Sequence, residues 1–226
     1  MLYITLSNIY VLLFIVSNIS ATKLTVFYNY HIDLGTIYFP ILYIINDIIT
    51  ETYGFAKAQL LVWKAIIACV FVTTLLYITS IIPGDTNLNS SKHFDSIMKV
   101  PFRVTFFSTI SFLVGEYCNS RIMSSLKIYF KGKFFNIRCI LSTFVGSSIE
   151  SAIFSFAIFY TVLTISQICK TIIFLVVIKV CYEIFFIPIT SFLTKKIKKN
   201  YKINNYDKEF KVIPISELKK QLKYKN

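Results

Sequence analysis

Long apolar runs separated by short polar or charged intervals fill the first 193 residues of the chain. Six runs reach the length of about 20 residues that carries a helix across a bilayer core. They predict spans at about 2–21, 34–53, 58–82, 102–126, 137–163 and 166–193. The first has no basic residue ahead of it and contains Tyr3, Asn8, Tyr10 and Asn18, so it reads as a retained helix, not a signal peptide. Pro40 starts or kinks the second, Gly54 stops it, and Phe55 to Lys57 make a short turn. Trp63 near one end of the third is an interfacial anchor or, alternatively, a platform for a ring-shaped substrate. Gly84 to Pro101 is the longest internal loop. The expected fold is an all-α integral membrane protein: one bundle of about six transmembrane helices over 1–194, and a tail over 195–226.

Within these runs the polar positions are few and patterned. Asp47 and Glu51 lie one turn apart with Gly54 continuing their face, while Asn46, Thr50 and Tyr53 form the adjacent stripe. Carboxylates in a membrane span are costly unless a bundle interior, water or a ligand satisfies them, so this stretch is the first candidate binding site. In the fourth span Glu116 either pairs with Arg121 or lines a cavity, and Arg103 lies near its start. The fifth carries Ser142, Thr143, Gly146, Ser147 and Glu150, a stripe of small polar residues with one carboxylate. Thr143, Ser147 and Glu150 share a face, which makes Glu150 the next site candidate. In the sixth, Lys179 and Glu183 are four apart and neutralise each other locally, although Lys before Glu is the weaker order. Glu116, Arg103, Lys179 and Glu183 are thus assigned to coupling or structural pairing. Asn18, in the polar end of the first helix, caps that helix or completes a site with the second.

Composition agrees with the pattern: 55% of the 226 residues are hydrophobic and the mean hydropathy is +0.64. The formal net charge of +13 would suggest nucleic acid, but from Lys195 onward eleven lysines face three acids, so +8 of it belongs to the tail. Such a tail is a positive-inside flank that touches anionic lipid, and no aromatic-interleaved module supports direct nucleic-acid binding. The loop from Lys127 to Arg138 is likewise basic, and both termini are expected in the cytosol. Five cysteines never approach a CxxC spacing, and His31 and His93 fall in loops, so neither a metal nor another cofactor is expected. There is no P-loop, so an energising ATPase would be a separate chain.

Phe39-Pro40, Tyr43, Asp47, Glu51 and Tyr53-Gly54 resemble the second-helix signature of the queuosine precursor transporter family. Three further stretches are similar to the family in the same order: Ser17-Asn18 with Ala21 and Lys23; Arg103 with Ser108 and Gly115; and Arg138, Ser142-Thr143, Gly146, Ser151 and Phe154. Asn46 stands where the family pattern has Thr, and Glu150 where it has Asp, moving that carboxylate outward by a methylene.

The resemblance implies a multi-pass transporter in a bacterial inner membrane, importing 7-deazaguanine precursors of the tRNA nucleoside queuosine. Its cargo would be 7-cyano-7-deazaguanine, 7-aminomethyl-7-deazaguanine or queuine. The residues suit such a ligand, because one carboxylate accepts both the N1–H and the exocyclic amine of a guanine-like edge. The expected substrate residues are Asp47, Glu51, Asn46, Tyr43, Tyr53, Glu150, Thr143 and Asn18. Asp47 or Glu150 would take the base edge, and Glu51 a cationic amine or a helix-to-helix contact; alternate protonation of Asp47 and Glu51 would be one route to coupling. The competing readings are uptake of another vitamin-like heterocycle, an intramembrane enzyme using the same two acids, and an assembly protein whose tail recruits a partner.

Overall fold

The computed structural model describes residues 2–27, 30–85, 88–207, 210, 211, 213 and 214, without the side chains of 30, 31 and 99–103. Six α-helices account for nearly all of it: α1 Leu2–Ser20, α2 Phe39–Tyr53, α3 Phe55–Ile81, α4 Asn89–Tyr129, α5 Phe135–Phe159 and α6 Ile165–Tyr201. Of these, α1, α3, α5 and α6 are long and apolar enough to cross a membrane. The protein is an all-α membrane protein, with one small exception.

That exception is an antiparallel hairpin, β1 Leu24–Phe27 and β2 Tyr30–Asp33, where only a short connection was expected. It leads into a 3₁₀ turn, Leu34–Ile37, so the second helix starts five residues later than the apolar run suggests. Asp33 caps this turn, accepting from the Thr36 backbone N–H and hydroxyl, both at 3.1 Å. Pro40 sits in the first turn of α2, where its missing N–H costs nothing, and starts the helix without kinking it.

The centre of the bundle is α2. Only 15 residues long, it covers about 22 Å and falls short of a hydrocarbon core. All of its residues except Ile41 are buried, against α1, α3, α4 and α6. A helix enclosed on every side can hold polar groups on every side, provided its neighbours answer them. Tyr10, Phe14, Phe39, Leu42, Ile49 and Phe112 form the apolar core on its α1 flank.

Gly54 alone separates α2 from α3, replacing the expected turn at Phe55 to Lys57. Its φ of 92° is a conformation side chains rarely adopt, so the chain stops and restarts a helix within one residue. The fourth helix is longer than expected: Asn89 onward, read as loop, is already helical. His93, within it, is exposed, while the side chains of His31 and Arg103 lie outside the described residues. Beyond α6 the chain turns back across the bundle end, so part of the expected tail packs on the helices. There Phe210 packs edge-on against Phe55 at 5.2 Å, and Pro214 is buried.

Candidate substrate site

Three polar layers stack along α2, each answered from different neighbours. The middle layer surrounds Asn46 and Asp47, which are fully buried. Asp47 Oδ1 accepts from Asn119 Nδ2 of α4 at 3.0 Å. Asn46 Nδ2 donates to Ser120 Oγ at 2.8 Å and to the Glu116 carboxylate. Asp47 Oδ2, Asn46 Oδ1, Glu116 Oε1 and Asn119 Oδ1 are buried without hydrogen-bond partners. Buried polar atoms are rarely left so, and each unanswered acceptor costs on the order of 1–3 kcal/mol. The layer is therefore rich in acceptors that a donor-bearing ligand could satisfy. Cys139 of α5 and Glu183 of α6 complete it, their ligating atoms and that of Asp47 lying within 4.8 Å of one another.

Glu51 defines the second layer, one turn on. Arg138 Nη1 donates to its Oε2 at 2.6 Å, Lys198 Nζ to its Oε1 at 2.5 Å, and Lys127 Nζ stands 3.9 Å away. Lys127 also donates to the Glu51 backbone carbonyl at 2.6 Å. One carboxylate thus ties the ends of α4, α5 and α6 to α2, and both its oxygens are already engaged. Glu51 offers no open oxygen in this structure, an arrangement that matches helix-to-helix contact.

The third layer lies toward the hairpin. Glu150 Oε2 accepts from Tyr43 OH at 2.6 Å and from Lys179 Nζ at 2.8 Å. Lys179 also reaches Ser151 Oγ at 3.3 Å. Beside them a cavity of about 20 Å³ is lined by Asp33, Thr36, Ser108, Glu150 and Lys179 among others. That is room for about one water.

The helices can converge on this column because α4 and α5 cross at glycine. A Cβ on Gly115 would fall 2.7 Å from Glu150 Cβ, and one on Gly146 2.8 Å from both Asn119 Cβ and the Gly115 carbonyl oxygen. Ser142, Thr143, Ser147 and Ser151 on α5 are buried too, Thr143 and Ser151 facing α6.

A family model described as "Putative vitamin uptake transporter" matches residues 33–193, from the last residue of β2 into α6. The chain belongs to that family. No curated protein and no solved structure matches it. Among the described residues, the five buried acids of the helices, Asp47, Glu51, Glu116, Glu150 and Glu183, all fall inside the matched stretch.

Several expected site residues meet in the transporter, and several do not. Asn46, Asp47, Tyr43, Glu150 and Glu116 line one column, and Thr143 faces Glu183 at its side. Tyr53 stands apart: it packs on Tyr3 at 5.3 Å under Lys57, and its carbonyl accepts from Asn205 at 2.9 Å. Asn18 donates within its own helix, to Phe14 O at 2.9 Å. Trp63 lines an apolar hollow with Leu60, Ile67 and Pro214, away from the column. Glu116 pairs with Asn46, whereas Arg121 is exposed and donates to Tyr117 at 3.3 Å. The expected Lys179–Glu183 pair is replaced by Lys179–Glu150, leaving Glu183 without a cation among the described residues.

Arg138, Lys127 and Lys198 are the residues that sequence reasoning missed. It counted them as positive-inside charges of a loop and tail. Arg138 alone carried a further mark, as part of the stretch resembling the family's fifth helix.

Proposed function

We propose that this transporter imports 7-deazaguanine bases, precursors of queuosine, across a bacterial inner membrane, without chemistry on the cargo. The observation that carries the reading is the middle layer. Asp47 is fixed by Asn119 through one oxygen and presents the other unanswered, beside unanswered acceptors of Asn46, Asn119 and Glu116. A purine-like edge with adjacent N–H and amine donors matches such a row, each donor finding an open oxygen of its own among Asn46, Asn119 and Glu116. Tyr43, held by Glu150, is the ring beside this column available for stacking. The basic Glu51 end, with Lys127, Arg138 and Lys198, faces the cytoplasm in this reading, in keeping with the positive-inside rule.

The test is queuosine content of tRNA in a host that neither makes the precursor nor imports it, fed limiting base. The native chain restores queuosine, and Asp47→Asn inserted to the same level does not. Absence of rescue by any of the three bases, with insertion verified, overturns the reading in favour of another vitamin-like heterocycle.

A further inference from the structure

We infer that Glu183, together with Asp47, forms a cation subsite that selects substrates carrying a protonated amine. The inference rests on the importer reading above and concerns a residue that reading does not use.

Five acids are buried among the helices. Glu51 is matched by Arg138, Lys127 and Lys198, and Glu150 by Lys179. Among the described residues no Lys or Arg forms an ion pair with Asp47, Glu116 or Glu183. Glu116 is engaged by the Asn46 amide. Glu183 is the least answered: it is 1% exposed, and among the described residues no cation meets it and only the Thr143 hydroxyl is turned toward its carboxylate. Asp47, fully buried, leaves Oδ2 open beside it.

Geometry then narrows the occupant. An ammonium nitrogen bonded at about 2.8 Å to two carboxylates, along tetrahedral N–H directions, holds their oxygens roughly 4.6 Å apart. The Asp47, Cys139 and Glu183 atoms lie within 4.8 Å of one another, so the two acids are close enough for one ammonium to reach both. Thr143 on α5 faces Glu183 and turns its buried hydroxyl toward that carboxylate. Asn119 fixes the Asp47 carboxylate from the opposite side and leaves Oδ2 to the subsite. Glu51, the acid that spacing alone nominates for an amine, has both oxygens engaged by Arg138 and Lys198. The amine therefore goes to α6, and the ring lies toward α4 and the Asn46–Glu116 pair.

The experiment compares uptake of two probes that differ only at the 7-substituent: 7-aminomethyl-7-deazaguanine, cationic, and 7-cyano-7-deazaguanine, neutral. Cells expressing the full chain are loaded with each labelled base in competition. The expected result is a preference for the amine of roughly tenfold to a hundredfold, the worth of one charge-assisted hydrogen bond. Glu183→Gln collapses that ratio to near unity, while Glu183→Asp, which keeps the charge, retains most of it. Because the ratio is first read on the native chain, failure of a variant to insert leaves the test intact. Equal uptake of both bases by the native chain overturns the subsite and leaves the importer reading standing. Uptake of neither overturns the importer reading. Equal uptake that a chelator abolishes and Zn²⁺ restores overturns the amine subsite as well, by assigning the same three atoms to a metal.

Discussion

Arg138 shows how much one side chain decides in this bundle. It is fully buried, stacks over Phe135, donates to Glu51 at 2.6 Å, and reaches back to the Lys133 carbonyl at 3.1 Å. Removing one partner of a buried pair leaves the other charged and desolvated, typically costing 3–5 kcal/mol. Arg138→Met is accordingly expected to lose about 3 kcal/mol, Lys127 and Lys198 compensating in part, as read by thermal unfolding in detergent. The double change Arg138→Met with Glu51→Gln should cost less than the two single changes together, since it removes the charge that the first strands. Neither residue's role could be derived from its neighbours in sequence. Glu51 was legible as a buried acid from helical spacing, but its partners come from positions 76, 87 and 147 residues away. The Lys179–Glu183 spacing misled for a related reason: Glu150 on a facing helix, aided by Tyr43, outcompetes a same-helix partner in the weaker order.

Among elements, the α4–α5 crossing carries the narrowest tolerance. Gly115 and Gly146 each sit against the other's carbonyl oxygen, and a methyl on either has to displace backbone or a site residue. Gly146→Ala is expected to push Asn119 away from Asp47, costing about 1–3 kcal/mol in stability. It should also reduce uptake without a comparable fall in membrane insertion; uptake per inserted molecule is the measurement. The helices themselves were largely legible, because a long apolar run has few alternatives. Their limits were not. Asn89 to Met98 is polar and reads as loop, yet it continues α4 outward. The hairpin escaped because Leu24–Phe27 and Tyr30–Asp33 are four residues each, too short for alternation to stand out from a linker. The brevity of α2 was hidden by the apolar residues before it, which serve the 3₁₀ turn instead.

At the level of the whole molecule, the chain beyond α6 closes the end of the bundle where Glu51 lies. Asp207 Oδ2 accepts from the Phe55 backbone N–H at 2.9 Å and from Ser124 at 3.2 Å, and the Asn205 carbonyl accepts from Lys127 at 2.6 Å. Arg121 lies over the Phe210 ring. Composition had assigned this stretch to lipid, since eleven lysines conceal a single Asp whose partner is the first free N–H of α3. Asp207→Ala is expected to release the segment, the loss of about 1.5–3 kcal/mol making the open form roughly tenfold to a hundredfold more populated. Limited trypsin cleavage after Lys202 should accelerate accordingly while the helices remain intact. The same contact sets an order on biogenesis. The segment that seals α2 to α3 follows the six described helices in the chain, so the ribosome delivers it after them. Until Asn205 and Asp207 emerge, the Phe55 N–H and the Tyr53 carbonyl have no partners from it, and the newly inserted bundle presents an unfinished face to the machinery that judges membrane proteins.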